Sequence, residues 1–308
     1  MRQNAEMRDL RFWRNGVARP KRSLLRLAML VPMLGGLLAG CANDGGAGLF
    51  QSNAGRAESA AALAKPPLTR TRFATRSFDI AGYYRQTAPN DPRLAVFIEG
   101  DGIAYITSGQ RSIDPTPDKP VALDLAARDN APNLLYLARP CQYTGGQRAR
   151  NCDSAYWTTH RFAPEAVAAI NEALDQYLRQ FGPKRITFYG YSGGALVAFL
   201  LAGQRQDVDA VITISGLLDH QAWTQHFGDT PLYGSRNSLE VVDRLRSLPQ
   251  RHFVGMRDDM VPPVLATAFM RRLGLAPERF ITALPNADHN CCWASLWPQL
   301  SQMPPIVP

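Results

Sequence analysis

The sequence predicts an α/β domain built on a doubly wound, mainly parallel sheet. Three observations predict it. Short continuous apolar runs, suited to strands buried on both faces, alternate with helix-period segments from about residue 93 to 300. One run, RITFYG, passes through Gly-Tyr-Ser-Gly-Gly straight into the almost wholly apolar GALVAFLLAG. Two later strands each lead directly into a loop rich in catalytic residue types, one acidic and one carrying a histidine.

The elements follow in order. RFATRSFDIAGYYRQ (72–86) reads as antiparallel edge strands. RLAVFIEG (93–100) and PNLLYLARP (132–140) read as buried strands. Residues 163–183 read as a helix: Pro164 and Glu165 suit its first turn, and Gly182-Pro183 stops it. Val167, Ile170, Leu174, Tyr177, Leu178 and Phe181 form its apolar face. RITFYG is a strand, and the apolar helix after it is expected to lie against the sheet. VDAVITISG (208–216), RHFVG (251–255) and RFITALP (279–285) are further strands. PPVLATAFMRRLG (262–274) and WASLWPQL (293–300) are helices. No internal repeat interrupts the pattern, so residues 71–308 read as one domain.

The N-terminus is different in kind. Residues 1–40 hold eight Lys/Arg against Glu6 and Asp9, which leaves only +2 of the chain's +8 for the remainder. The high isoelectric point therefore belongs to this segment and gives no footprint for nucleic acid. The basic region ends at Arg26. LAMLVPMLGGLLAG follows, too short and too broken by Pro32 and Gly35-Gly36 for a comfortable spanning helix, and then comes Cys41. Leu38-Ala39-Gly40-Cys41 resembles the bacterial lipoprotein signal, which implies a signal peptide over 1–40 and a lipidated Cys41. The alternative is an ordinary secretory signal. Residues 41–70, rich in Gly, Ala, Ser and Asn, read as a flexible tether. Membrane attachment through Cys41 and a periplasm-facing position in the cell envelope are expected. Ala42 at the second mature position favours the outer membrane.

An exported chain sits where disulfides are allowed. Cys141 and Cys152 flank the polar, hairpin-like QYTGGQRARN and are the favoured pair. Cys291-Cys292 are then a vicinal disulfide or two free thiols. No Cys/His spacing looks like a zinc site.

The serine stretch carries the chemistry. At the carboxyl end of a parallel strand, a serine on a sharp strand-turn-helix elbow needs glycine two residues before and after it. Gly190 and Gly194 stand there around Ser192, with Gly193 adding room. The plain alternative makes Ser192 a helix N-cap. A nucleophilic serine requires a base and an acid to orient it. His289 is the one histidine after the last strand, in ITALPNADHNCCW. His252 lies within a strand and reads as packing; His220, His226 and His160 stand elsewhere in the order. GMRDDMVPP offers Asp258 and Asp259. Asp219 and Asp288 are weaker candidates.

These motifs resemble the α/β-hydrolase superfamily over residues 93–300. Its Gly-x-x-Asp-x-x-Val-Pro pattern selects Asp258. The resemblance implies a Ser192–His289–Asp258 triad, with the main-chain N–H groups of Gly193 and Asp101 as oxyanion donors. Glu99-Gly100 replaces the His-Gly of many members, and the Asp101 carboxylate is required to turn away from the developing charge. RPCQY, YWTTHRFAPEAV and DHNCCW resemble a group of exported bacterial hydrolases. The implied reaction is cleavage of an ester, thioester or amide in a small acyl substrate, through an acyl-serine, with no cofactor or metal required. Residues 217–250 fall where these folds insert a cap; their shortness predicts a shallow covering. Trp223, Phe227, Leu232 and Tyr233 are candidates to line an acyl pocket, and YWTTHR (156–161) is a further segment that could face it. An esterase is the expected activity. A serine peptidase of the same fold and a non-catalytic envelope-binding lipoprotein are the rivals.

Overall fold

The computed structural model describes residues 53–182 and 184–308. The expected signal segment, Cys41 and the first part of the expected tether lie outside the described residues. The elements run α1 (Asn53–Ala62), β1 (Thr69–Ala74), β2 (Asp79–Gln86), β3 (Arg93–Ile98), β4 (Tyr105–Thr107), β5 (Gln110–Arg111), α2 (Val121–Arg128) and β6 (Asn133–Leu137). They continue α3 (Pro164–Phe181), β7 (Arg185–Tyr191), α4 (Gly193–Gln204), β8 (Val208–Ile214), α5 (His220–Phe227) and α6 (Val242–Arg246). The last are β9 (Gln250–Gly255), α7 (Pro263–Arg272), α8 (Pro277–Phe280), β10 (Ile281–Leu284) and α9 (Trp293–Leu300).

Eight strands form one sheet in the order β1-β2-β6-β3-β7-β8-β9-β10. β2 runs antiparallel to both β1 and β6; every later neighbour pair is parallel. The expected fold class is the observed one. Helices α3, α4 and α7 pack one apolar cluster, while α1, α2 and α9 pack another. Residues Gly193 to Ala202 of α4 are all buried, which explains a helix with no polar face. In α3, Val167, Ile170, Leu174 and Tyr177 are buried as their spacing predicts.

Register sets up the site. Ile98 at the end of β3 pairs with Gly190 near the end of β7, and Leu284 of β10 pairs with Gly255 of β9. The loops that follow these strands therefore leave the sheet side by side at one edge.

Two sequence expectations need correction. The tether was expected to run to residue 70, yet 53–62 form α1, with Ala57, Ala60 and Ala61 buried. Arg56 Nη1 donates to Asp118 O (3.0 Å), Tyr83 Oη donates to Glu58 Oε1 (2.9 Å), and Arg70 pairs with Glu58. An alanine-rich segment carries no apolar period, but its small side chains suit close docking on α2. The strand expected over 279–285 begins only at Ile281, because Pro277 at the first helical position starts α8.

α1 should therefore contribute to stability. A chain beginning at residue 69 is expected to melt several degrees below one beginning at residue 53, reflecting about 1–3 kcal/mol of lost burial and hydrogen bonding. Equal melting temperatures in scanning calorimetry would show that α1 is dispensable.

Candidate active site

The elbow follows from close packing. Ser192 has φ 50° and ψ −124°, a left-handed conformation that is costly for a residue with a side chain. Its N–H donates to Ile214 O (3.1 Å), and its carbonyl accepts from Ala195 (3.1 Å) and Leu217 (2.9 Å). A Cβ at Gly190 would strike the Ala195 backbone, and one at Gly194 would strike the Ile98 and Glu99 carbonyls. Both glycines are required because α4 turns back onto β3 within one residue of the serine.

His289 Nε2 lies 3.1 Å from Ser192 Oγ. Its Nδ1 lies 3.0 and 3.1 Å from the two Asp258 oxygens. Asp258 Oδ1 also accepts the main-chain N–H groups of Met260 (3.0 Å) and Val261 (2.8 Å), which fixes the carboxylate in its turn. His289 and Asp258 are buried, while Asp259 is exposed. The structure thus brings together the three side chains read from the sequence. It places the other candidates elsewhere. Asp219 caps α5 and pairs with Arg272. His252 is fully buried, bonded to Thr213 and Gln250, and burial pushes its imidazole down to about 3. Burial likewise lowers His220. Asp288 accepts the N–H groups of Cys291 (2.6 Å) and Asn290 (2.8 Å), which hold its carboxyl below the usual range and shape the histidine loop.

Two residues that sequence reasoning did not assign hold that loop. Tyr191 Oη donates to the His289 carbonyl (3.0 Å), and Trp293 Nε1 donates to the same oxygen (3.0 Å). Both side chains are buried. The available signal was position: one aromatic directly precedes the serine, and the other opens the helix after the histidine.

Asp101 follows β3, beside the elbow. Its carboxylate receives Arg139 Nη1 (2.9 Å) and Arg161 Nη1 (2.7 Å). Burial alone would raise this carboxyl; the charges of Arg161 and Arg139, with their hydrogen bonds, overcome it and hold it low. The Asp101 side chain also lies against the Cα of Gly193, where any Cβ would collide with it. Gln142 Nε2 donates to Gly100 O (2.9 Å), and Arg139 N–H donates to Gln142 Oε1 (3.0 Å). Among the described residues, the main-chain N–H groups of Asp101 and Gly193 donate to no partner. The segment that supplies Arg139, Gln142 and Arg161 includes Cys141 and Cys152, whose sulfurs are at bonding distance with Cα atoms 5.8 Å apart. The sulfurs of Cys291 and Cys292 are also at bonding distance.

A cavity of about 750 Å³ opens over Ser192 and His289. Trp223 and Leu232 line it, as do Thr158, Thr159 and Arg161. Phe227 and Tyr233 do not: Phe227 packs on the Trp223 ring and both are substantially exposed. The cap segment is short, so only its inner residues reach the opening. The β4–β5 hairpin adds Tyr105 and Ser108 to the wall. Its Ser-Gly turn was a readable hairpin signal in a stretch left unassigned. Among the described residues no group of three or more His, Cys, Asp or Glu is placed to hold a metal ion, and no helix is long and apolar enough to cross a membrane.

A serine on a strained strand-to-helix elbow, with an imidazole and a carboxylate delivered by later strands of one parallel sheet, defines a class of architecture. The model of the alpha/beta hydrolase fold matches residues 54–256, and the chain belongs to that family. The match ends before the histidine loop. None of the curated proteins matches the chain. Among solved structures it is similar to Est1E from Butyrivibrio proteoclasticus, with a TM-score of 0.52 and 14% identity over 75% of this chain and 95% of that one. It is similar to an alpha-beta serine hydrolase homologue from Coxiella burnetii, with a TM-score of 0.51 and 13% identity over 75% and 93%. It is also similar to an acylaminoacyl peptidase from Pyrococcus horikoshii, with a TM-score of 0.50 and 13% identity over 72% of this chain. The chain spans only 37% of that peptidase. At these identities the likeness is one of fold.

Two outcomes are expected. Glu99, at the end of β3, accepts N–H groups of Gly100 (3.0 Å) and Ala122 (3.3 Å), and burial pushes its carboxyl from 4.5 up to about 7. A raised folded value means the native chain binds this proton more tightly than the unfolded chain. The resulting stability is fully present below about pH 4.5 and is lost as the pH rises to about 7. Glu99→Gln should flatten that loss, worth of order 3 kcal/mol, in denaturant titrations across this range. Parallel pH profiles for parent and variant would refute it. Tyr191→Phe should lower kcat roughly tenfold with little change in KM, because it frees the histidine loop on one side; an unchanged kcat would remove Tyr191 from that role.

Proposed function

We propose that this protein is a serine hydrolase that cleaves an ester or thioester through an acyl-serine intermediate. The observation that carries the reading is the continuous contact from Ser192 Oγ through His289 to Asp258, on an elbow strained in the way such a nucleophile requires.

In this reading His289 Nε2 takes the Ser192 proton as Oγ attacks the carbonyl carbon. Asp258 holds the Nδ1–H tautomer and stabilises the imidazolium. The oxyanion is received by the main-chain N–H groups of Gly193 and Asp101, supported by the N-terminus of α4. The imidazolium then protonates the leaving alcohol or thiol. Water, deprotonated by the same imidazole, attacks the acyl carbon and restores the free serine. The Asp101 carboxylate does not oppose the oxyanion in this scheme, since two arginines hold and neutralise it. The chain would work from the bacterial envelope, attached through Cys41 and facing the periplasm, with the outer membrane favoured by Ala42. The lipobox sequence is what supports that location.

A fluorophosphonate tests the reading. The full chain in detergent is expected to gain one adduct by intact mass: a bond forms between Ser192 Oγ and phosphorus as the phosphorus–fluorine bond breaks and fluoride leaves to solvent. Ser192→Ala should gain none. His289→Ala should react at least about a thousandfold more slowly, and Asp258→Asn should also be strongly slowed. Turnover of short acyl esters, well above that of aminoacyl amides, would complete the case for an esterase. A folded parent that stays unlabelled would sink the proposal.

A further inference from the structure

Arg139 and Arg161 present two positive charges to one carboxylate. Their partner Asp101 cancels one charge and leaves the other. Arg139 is enclosed: its Nη2 donates to the Arg161 carbonyl, its Nη1 to Asp101, and its Nε is buried without a partner. Arg161 is different. It is nearly buried yet forms part of the cavity wall. Its Nε donates to Thr158 O (2.7 Å) and its Nη1 to Asp101 Oδ2 (2.7 Å). Its guanidinium carbon lies 5.9 Å from the centre of the Trp223 ring. Nη2 has no hydrogen-bond partner among the described residues, and it is not one of the solvent-shielded atoms. Three contacts therefore fix the fork, and Nη2 keeps solvent access on a side chain that lines the cavity with Ser192 and His289.

We infer that Arg161 forms a subsite for an anionic group of the substrate, most simply a carboxylate carried on the acyl chain of the ester. This rests on the serine-hydrolase reading for the reaction, but the subsite is a binding claim of its own. A guanidinium whose other donors are already engaged loses little freedom on taking one more carboxylate oxygen. The surplus positive charge behind the wall favours the same ligand. Glu99, which also lines the cavity, adds no full negative charge below about pH 7, because burial raises it to that value. Asp118 and Asp229 line the same cavity but are exposed, so water screens them, and Lys119 stands beside Asp118 with the opposite sign.

The test uses the full chain in detergent at about pH 6 and two amides of equal length, adipamate, which ends in a carboxylate, and hexanamide, which ends in a methyl group. By titration calorimetry, adipamate is expected to bind the parent about tenfold more tightly than hexanamide, the worth of one charge-assisted contact in a partly open site. Arg161→Gln should abolish that difference, and Arg161→Lys should keep part of it. The same pattern should appear in turnover. The ratio of kcat/KM for the 4-nitrophenyl monoester of adipic acid to that for 4-nitrophenyl hexanoate should fall about tenfold in Arg161→Gln, mainly through KM. A ratio cancels any general damage from loosening Asp101. Should Arg161→Gln fail to fold, the parent's preference and Arg161→Lys still decide the matter. Equal binding of the two amides by the parent, or an unchanged preference in the variants, overturns the inference. Arg161-dependent adipamate binding without turnover of either ester would uphold the subsite and sink the hydrolase reading instead.

Discussion

The approach of α4 to the end of β3 is the constraint on which the site depends. Gly194 lies against the Ile98 carbonyl and Gly190 against the Ala195 backbone, closer than any side chain permits. That contact forces the chain to reverse within one residue, and Ser192 takes a left-handed conformation as a result. The backbone does not relax because both flanking elements are buried, α4 on every side and β7 between β3 and β8. Local strain at one residue is small against the apolar area that holds these elements in place. The same approach sets the Gly100–Asp101 turn beside the first residue of α4. One packing contact thus positions both the serine and the turn that would face a developing charge.

A carboxylate beside the oxyanion position of the proposed reaction is an electrostatic problem, and the segment between β6 and α3 answers it. Arg139 and Arg161 turn the Asp101 side chain from a repulsive charge into a strut. Removing one partner of such a buried cluster would leave an uncompensated charge, so its members are interdependent. The segment's other contact, from Gln142 to the Gly100 carbonyl, fixes the turn from its far side. Two arginines meet one carboxylate there, and of the two Arg161 lines the cavity.

Much of this was legible in the sequence. Apolar runs and helix periods are local signals, and they placed the sheet, α3, α4 and α9. The elbow was legible because its glycines answer a steric need that few other turns have. His289 was legible as the one histidine after the last strand, and the acid loop offered Asp258 and Asp259, between which the resemblance to the hydrolase pattern chose Asp258. Legibility failed where structure depends on a distant surface. Residues 53–62 have no apolar stripe, since alanine docking on α2 needs only small side chains. Phe227 and Tyr233 looked like pocket residues by composition, but the short cap turns them outward. Arg139 and Arg161 stand 38 and 60 residues from the carboxylate they share. No local pattern announces such a pair.

The histidine loop shows how that long-range dependence works. Its base rests on the β9–β10 pairing, which aligns Gly255 with Leu284 and so brings two loops to one edge. Its tip is held by Asp288 from within and by Tyr191 and Trp293 from outside. Tyr191 is the neighbour of Ser192, so the residue that precedes the serine also grips the carbonyl of the histidine. A shift of the elbow would carry the loop with it, and the separation of Oγ and Nε2 would change less than either position. Coupling the two through one aromatic side chain keeps their relative geometry fixed even though they come from strands on different parts of the sheet. The brace acts on the His289 backbone, and through it on the separation across which the proposed reaction would move a proton.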